Sequence, residues 1–387
     1  MVGVARALNN SFVSQPGKRG IMRKEIITRE NRNVRPLGRI LYHDGICYLG
    51  YSASEIGFYY SGSLLMADLV TDGWRREEGR EGFVGVFIGE DEIPYKRFAL
   101  KEEEKEYELF SRADYAATKG IAQDLLPQEL AIRIVKYSEV AFGAVGIRYL
   151  LVEDGAGLRP LPEKSRKIEF IGDSITCGYG IEGVCNVDVF NTPQENPFKN
   201  YALRTARALD ADYQLVSWSG IGLISDWIPP ERDTPDETVL MPQLYPYTAY
   251  TASERLGIPP EEWEPSRFLP GLVVIHLGTN DDSYTRQNPE REAAFTEAYR
   301  GLYRKVRENY GDVRIVCCLG IMARSLCPVI ARMVEELRAA GDKNIHYLEF
   351  EAQREEDGIA TDWHPSETTH KKAAIKLTEF CRELLEG

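Results

Sequence analysis

At the Gly- and Pro-rich stretch GAGLRPLPEK (155–164) the hydrophobic pattern of this chain changes, and no single kind of sheet accounts for both sides of the change. Before it, from about Asn33, short runs that often alternate apolar with polar residues occur at 46–51, 57–60, 83–88, 106–110, 131–136 and 147–152, separated by Gly, Asp and Lys clusters. Period-two alternation sets one face of a strand on a core and the other in water, which predicts an antiparallel β-sandwich. After it, apolar runs at 167–171, 213–218, 272–277, 313–319 and 345–350 alternate with helical segments at 200–209, 290–309, 329–340 and 366–385. Strands apolar on both faces require helices on both faces, so this half is expected to be a three-layer α/β domain with a mainly parallel sheet. On its last helix Ala373, Ala374, Leu377, Phe380, Cys381 and Leu384 recur at helical spacing and make one buried face.

A length of 387 residues agrees with two cores rather than one. The expected division is an N-terminal tail (1–30), a β-sandwich (31–155), a linker (156–165) and the α/β domain (166–387). At 43% hydrophobic and 28% charged residues, the composition is that of a globular chain. A net charge of −13 repels phosphate backbones and anionic lipid, so neither nucleic acid nor a membrane surface is an expected partner. No apolar run is long enough to span a bilayer. Arg6, Asn9 and Asn10 interrupt the apolar stretch at the N-terminus, which does not read as a secretory signal. The expected location is cytoplasmic; a chain whose leader has been removed reads the same way and is then secreted. The seven cysteines include no CxxC pair, so neither a disulfide framework nor a metal ribbon is expected, and Cys317 and Cys318 are expected to be small core residues. The charged run KEEEKEYE (101–108) is expected to be a solvated turn.

In open α/β sheets ligands bind beyond the carboxyl ends of the strands, and four short motifs fall there. IGDSIT (171–176) puts Ser174 at a strand end and the start of a helical turn, where its N–H is free to point at a pocket. Gly172 permits close approach, and Asp173 is expected to pin the loop by hydrogen bonds. In WSGIG (218–222), Gly220 can present an N–H that no side chain obstructs. In LGTND (277–281), the Asn280 carboxamide can donate to a developing oxyanion, an interaction typically worth about 10²–10³ in rate. In DWHP (362–365), Pro365 biases His364 away from helical geometry and Ser366 is a natural N-cap, so His364 projects from the loop entering the last helix. An imidazole there can take the Ser174 proton and return it to a leaving alcohol. Asp362 points the same way as His364 if the segment is extended, which brings its carboxylate within reach of the other ring nitrogen. His276 and His370 are expected to be structural. Taken singly, each motif is an ordinary turn; together, in this order and at the ends of strands of one domain, they are more specific.

GDSIT, WSG, GTND and DWHP resemble the four blocks of the SGNH (GDSL-type) hydrolase superfamily. The wider pattern, a β-rich leader followed by IEFIGDSITCGYG, SWSGIGL and VIHLGTND, resembles carbohydrate esterase family two from about Asn33 to the end of the chain. The resemblance implies a jelly-roll sandwich packed against an SGNH hydrolase domain. It also implies a serine esterase that deacetylates xylan- or mannan-type polysaccharides or oligosaccharides through an acetyl-serine, with no metal and no other cofactor. It makes Ser174 the nucleophile, His364 the general base, and the Ser174 N–H, the Gly220 N–H and the Asn280 side chain the oxyanion hole. The superfamily commonly has its acid three residues before the histidine, where this chain has Thr361. Asp362 is then the nearby carboxylate, with a Ser–His dyad oriented by a backbone carbonyl as the alternative. Trp227 and Trp363 are candidates to stack on a sugar ring, set against a place in the core. The expected partner is an acetylated carbohydrate, and the sandwich offers a surface for a homo-oligomer. Two other functions fit the same motifs: a short-chain acyl esterase or thioesterase, and a carbohydrate-binding protein whose hydrolase domain has decayed.

Overall fold

The structure, a computed structural model, describes residues 21–72, 78–100 and 104–386. In the N-terminal half, period-two patterning produces, among the described residues, two antiparallel sheets of six strands each. One runs, in spatial order, Ile40–His43, Ile46–Leu49, Val145–Glu153, Leu64–Thr71 and Glu104–Ser111, with Met22–Glu25 also paired to Val145–Glu153. The other runs Leu158–Pro160, Glu55–Tyr60, Leu130–Lys136, Phe83–Ile88 and Lys96–Ala99, with Arg35–Leu37 also paired to Glu55–Tyr60. Leu65, Ala67, Leu69 and Ile147 of the first sheet and Ile56, Phe58, Val86 and Ile134 of the second share one core, which makes the pair a sandwich.

Three details differ from the sequence reading. Residues 1–20 of the expected tail lie outside the described residues, and within the remainder Met22–Glu25 is a paired strand. Residues 101–103 of KEEEKEYE also lie outside, but from Glu104 the run is a strand rather than a turn. Leu109 is buried and Tyr107 half-buried while Glu106 and Glu108 face water, so the charges occupy the wet side of a period-two pattern. Within the expected linker, Leu158–Pro160 pairs with Glu55–Tyr60 as an edge strand of the sandwich, an edge position being one that tolerates proline.

The C-terminal half is built on five parallel strands, β1 (Arg166–Gly172), β2 (Ala211–Ser217), β3 (Leu272–His276), β4 (Arg314–Leu319) and β5 (Ile345–Glu349), in the order β2-β1-β3-β4-β5. Its principal helices are α1 (Ser174–Cys177), α2 (Tyr201–Ala208), α3 (Pro289–Tyr310), α4 (Cys327–Ala339) and α5 (Glu367–Glu386). Alternate strand residues enter opposite layers. Ile171, Ile275 and Cys317 pack with Tyr299 of α3 and Met333 of α4, whereas Phe170, Val274 and Cys318 pack with Ala202 of α2 and Leu377 of α5. This is why the runs read as apolar throughout. The seven cysteines are free, and all but the half-buried Cys185 are buried. No helix among the described residues is long and apolar enough to cross a membrane.

The two halves share buried contacts. Phe87 and Tyr137 of the sandwich meet Phe198 with ring centroids 4.7 and 5.6 Å apart. Arg39, fully buried, donates to the Tyr245 and Tyr247 carbonyls and to Glu169 of β1 at 3.0 Å, with its guanidinium 4.7 Å from the Tyr245 and Trp263 rings. The strand order reverses at β1, whose neighbours β2 and β3 lie on opposite sides, and such a reversal opens a crevice at the carboxyl ends.

Candidate active site

The site is assembled from the loops that leave these three strands. Gly172 of β1 is in register with Ser217 of β2 on one side and His276 of β3 on the other. Ser174 lies two residues beyond Gly172, Gly220 three beyond Ser217 and Asn280 four beyond His276, so adjacent strands, about 4.8 Å apart, deliver all three to one edge of the sheet. A Cβ at Gly172 would stand 2.1 Å from Thr176 Oγ1, which accounts for glycine at the point where β1 turns into α1.

Ser174 is buried at the first position of α1. Asp173 caps that turn by accepting the Ile175 N–H at 3.0 Å, and burial pushes its carboxyl up to about 7 against the pull of that bond and of Thr279. Its role is the loop-pinning one expected. The Ser174 carbonyl accepts from the N–H groups of Gly178 and Tyr179 at 3.0 and 3.1 Å, which anchors the residue at its other end. Ser174 Oγ stands 2.8 Å from Nε2 of His364, 190 residues away in sequence.

His364 is held in turn by the main chain. Its Nδ1 is 3.1 Å from the carbonyl oxygen of Asp362, while the Asp362 carboxylate accepts the Tyr179 hydroxyl at 2.9 Å. The expected contact between that carboxylate and the imidazole is therefore not the one formed. The i, i+2 argument needed an extended segment, but Asp362 and Trp363 are both left-handed, with φ of 53° and 63°. That turn directs the Asp362 carbonyl to the ring and its side chain away. Burial holds the His364 pKa below its ordinary 6.5, partly offset by the carbonyls of Asp362 and Thr361 and the Asp362 charge, so the ring is neutral near pH 7 and ready to accept a proton. Ser366 begins the last helix as expected, accepting the Thr369 N–H at 3.3 Å. A stack of rings supports the histidine from outside: Tyr179 lies 4.6 Å from His364 and 3.8 Å from Phe190, and Phe190 lies 5.4 Å from Phe142 of the sandwich.

Donors face the same edge. Among the described residues neither the Ser174 N–H nor the Gly220 N–H has an acceptor. Gly220 has φ +89°, and a Cβ there would lie 2.4 Å from Asp226 Oδ1, so this position excludes other residues twice over. Asn280 is buried and spends one amide hydrogen on the Ile221 carbonyl at 2.9 Å, leaving the other. Sequence reasoning passed over its neighbour Asp281. That carboxylate accepts the N–H groups of Leu223, Ile224 and Ser225 and so pins the loop that carries Gly220, with burial raising its pKa to about 6. The signal was present, since an acid directly after LGTN in an apolar setting needs donors, and the loop of the second motif supplies them.

Trp227 and Trp363 are 57% and 58% exposed, so neither belongs to the core. The Trp227 N–H donates to the Gly220 carbonyl at 3.0 Å, and Trp363 directly precedes His364, so the main chain of each is tied to a residue of the site. His276 and His370 are buried; burial pushes them down to about 4 and about 3, and His370 Nδ1 accepts the Tyr201 N–H, a structural role.

Residues 170–372 match the GDSL-like lipase/acylhydrolase family. The chain is 37% identical over 250 residues to the cellulase/esterase CelE of Acetivibrio thermocellus, a match covering 63% of this chain but only 28% of that protein's length. It is 26% identical over 363 residues, 93% of this chain and 91% of the relative, to an acetylxylan esterase / glucomannan deacetylase of Cellvibrio japonicus. Among solved structures it resembles a family two carbohydrate esterase from Clostridium thermocellum in complex with cellohexaose (TM-score 0.76, 29% identity, 91% of this chain and 99% of that one). An acetyl xylan esterase from Butyrivibrio proteoclasticus shares the fold (TM-score 0.80, 23% identity, 95% and 99% covered).

Proposed function

Since the chain belongs to the GDSL-like lipase/acylhydrolase family, we propose that it is a serine esterase that removes acetyl groups from O-acetylated polysaccharides or oligosaccharides of the xylan or mannan type. The observation that carries the reading is the 2.8 Å contact between Ser174 Oγ and His364 Nε2 beside two N–H donors that have no acceptor among the described residues. Relatives that act as acetylxylan esterases and glucomannan deacetylases supply the substrate class. The exposed rings of Trp227 and Trp363 suit the apolar face of a sugar.

Ser174 Oγ attacks the acetyl carbonyl while its proton passes to His364 Nε2. The carbonyl oxygen becomes an oxyanion and takes hydrogen bonds from the Ser174 N–H, the Gly220 N–H and the Asn280 amide. His364, now charged, is stabilised through Nδ1 by the Asp362 carbonyl and returns its proton to the departing sugar oxygen. Water then enters, gives a proton to His364, and releases acetate and free Ser174 by the same route reversed. The pair works as a dyad, its tautomer set by a peptide oxygen.

The test is acetate release from acetylated xylan, acetylated glucomannan and monosaccharide acetates, with the Ser174→Ala protein as control. Release by the wild type and none by the variant is expected. Undiminished release by the variant overturns the site, and activity that rises from acetyl to octanoyl esters while acetylated sugars go untouched overturns the substrate.

A further inference from the structure

A carboxylate from the sandwich reaches the catalytic loops of the other domain. Glu139, three residues beyond the strand Leu130–Lys136, is fully buried. Its Oε2 accepts the Ser219 N–H at 2.6 Å and lies 3.7 Å from the Cys177 thiol. Ser219 immediately precedes Gly220. Cys177 closes α1, the turn that Ser174 opens, and its sulfur is also 3.2 Å from Ser217 Oγ. One side chain therefore touches both the segment that holds the nucleophile and the loop that presents the Gly220 N–H. Resting on the esterase reading above, we propose that Glu139 is a positioning residue of the oxyanion hole, which fixes the aim of the Gly220 N–H by holding the Ser219 N–H.

Glycine is the freest residue of the backbone, and Gly220 has to present its N–H in one direction before substrate arrives, since donors act by being preorganised. Its own carbonyl is anchored by the Trp227 N–H at 3.0 Å. The peptide that carries its N–H has no such anchor of its own and takes its orientation from Ser219, whose N–H is tied to Glu139. At 2.6 Å that contact is at the short end for an N–H···O bond. Burial holds the Glu139 carboxyl above its ordinary value, partly offset by the Ser219 hydroxyl and N–H and by the Lys136 charge. Lys136 Nζ also donates to the Glu139 carbonyl at 2.7 Å and so secures the backbone from which the carboxylate projects. The neighbouring buried Glu195 has the Ser52 hydroxyl on one oxygen at 3.2 Å, and burial and the nearby Glu139 raise it well above its ordinary value. A buried carboxylate is a costly way to fill space, and both of its further contacts lead to the catalytic loops.

The test compares Glu139→Gln with Glu139→Ala and Glu139→Met in the full chain, reading kcat and KM for 4-nitrophenyl acetate and the inhibition constant of a small alkylboronic acid. Such an acid adds to the serine and puts an oxygen in the oxyanion hole. The glutamine oxygen still accepts the Ser219 N–H, so that protein is expected to keep kcat within about threefold. The alanine and methionine proteins lack an acceptor and are expected to lose about 10- to 100-fold in kcat, part of what a whole donor is worth, with KM within about twofold and boronate affinity falling by the same factor as kcat. Wild-type kcat in a folded alanine or methionine protein overturns the proposal, as does a loss carried by KM with boronate affinity unchanged. If neither protein folds, the carboxylate is a structural strut and the positioning role is likewise overturned. Ser174→Ala separates the two levels: activity surviving in it defeats the esterase reading itself, whereas a dead Ser174→Ala beside a fully active Glu139→Ala defeats only this inference.

Discussion

Replacing Asp362 by asparagine separates two ways of holding the catalytic imidazole. Asparagine tolerates the left-handed conformation that Asp362 adopts at φ 53°, and its amide oxygen can still accept the Tyr179 hydroxyl, so backbone and shape are kept and only the charge is removed. Where a carboxylate grips the ring, as in Ser-His-Asp triads, this exchange reverses the tautomer and costs about 10⁴ in kcat. Here the grip on Nδ1 is the Asp362 main-chain oxygen at 3.1 Å, which the substitution leaves in place. What disappears is the attraction between an exposed negative charge and the imidazolium that forms in the transition state. Acting largely through water, that attraction is worth roughly a factor of five in rate. The assay is kcat/KM for 4-nitrophenyl acetate from about pH 5 to about pH 8, the range in which an imidazole titrates. Rate is lost on the acid side as His364 takes up a proton. Burial already sets its pKa below 6.5 while the Asp362 charge draws it upward, so removing the charge moves the acid limb to lower pH. A fall of about 10³ or more, nearer to a triad's loss than to a surface charge's, would refute the reasoning, and so would an acid limb that moves upward.

Gly220→Ala introduces a Cβ 2.4 Å from Asp226 Oδ1 at a φ of +89° and is expected to cost about 10²–10³ in kcat, measured on the same ester; turnover near that of the wild type would remove Gly220 from the oxyanion hole. Arg39→Met leaves the buried Glu169 carboxylate without its cation and is expected to destabilise the fold by about 3–5 kcal/mol in urea unfolding; a change below about 1 kcal/mol would mean the pair contributes nothing net. Trp227→Ala is expected to raise KM for acetylated xylan several-fold while 4-nitrophenyl acetate turnover stays within about twofold, and parallel losses on both substrates would place the ring in the chemistry rather than on the sugar.

The parallel sheet was legible almost residue by residue because each of its strands is apolar on both faces and each intervening helix has the spacing of one buried stripe. The sandwich was less so. Leu64–Thr71, the strand between Val145–Glu153 and Glu104–Ser111, reads LLMADLVT, a pattern that suits a helix as well as a strand. The three-residue pieces Arg35–Leu37 and Leu158–Pro160 have no period to detect. Within the site, the residue types that must be serine, glycine, asparagine or histidine announced themselves by motif. What escaped was whatever acts through geometry alone. The Asp362 carbonyl is common to every residue type, so no letter of the sequence marks it, and only the left-handed pair Asp362–Trp363 turns it to the ring. Asp281 and Glu139 escaped because their partners are backbone N–H groups of loops 56–80 residues distant.

That dependence on distant backbone bears on why a β-sandwich accompanies this hydrolase domain. A parallel sheet covered by helices has its own core and, by itself, no need of a second domain. Yet the sandwich supplies three props that end on catalytic parts. Arg39 meets Glu169 within β1, the strand that leads to Ser174. Glu139 holds the peptide before Gly220. Phe142 backs Phe190, which backs Tyr179, which lies against His364. The strand before Ser174, the loop of Gly220 and the ring of His364 are thus each braced by the sandwich, the last two from one short segment, residues 139–142. The side chain that would lock a triad's histidine is turned outward to Tyr179, and a main-chain carbonyl takes its place on Nδ1. Rigidity that a carboxylate would have provided within one domain is here drawn from packing against another, so loosening the interface is expected to lower kcat before it unfolds either domain.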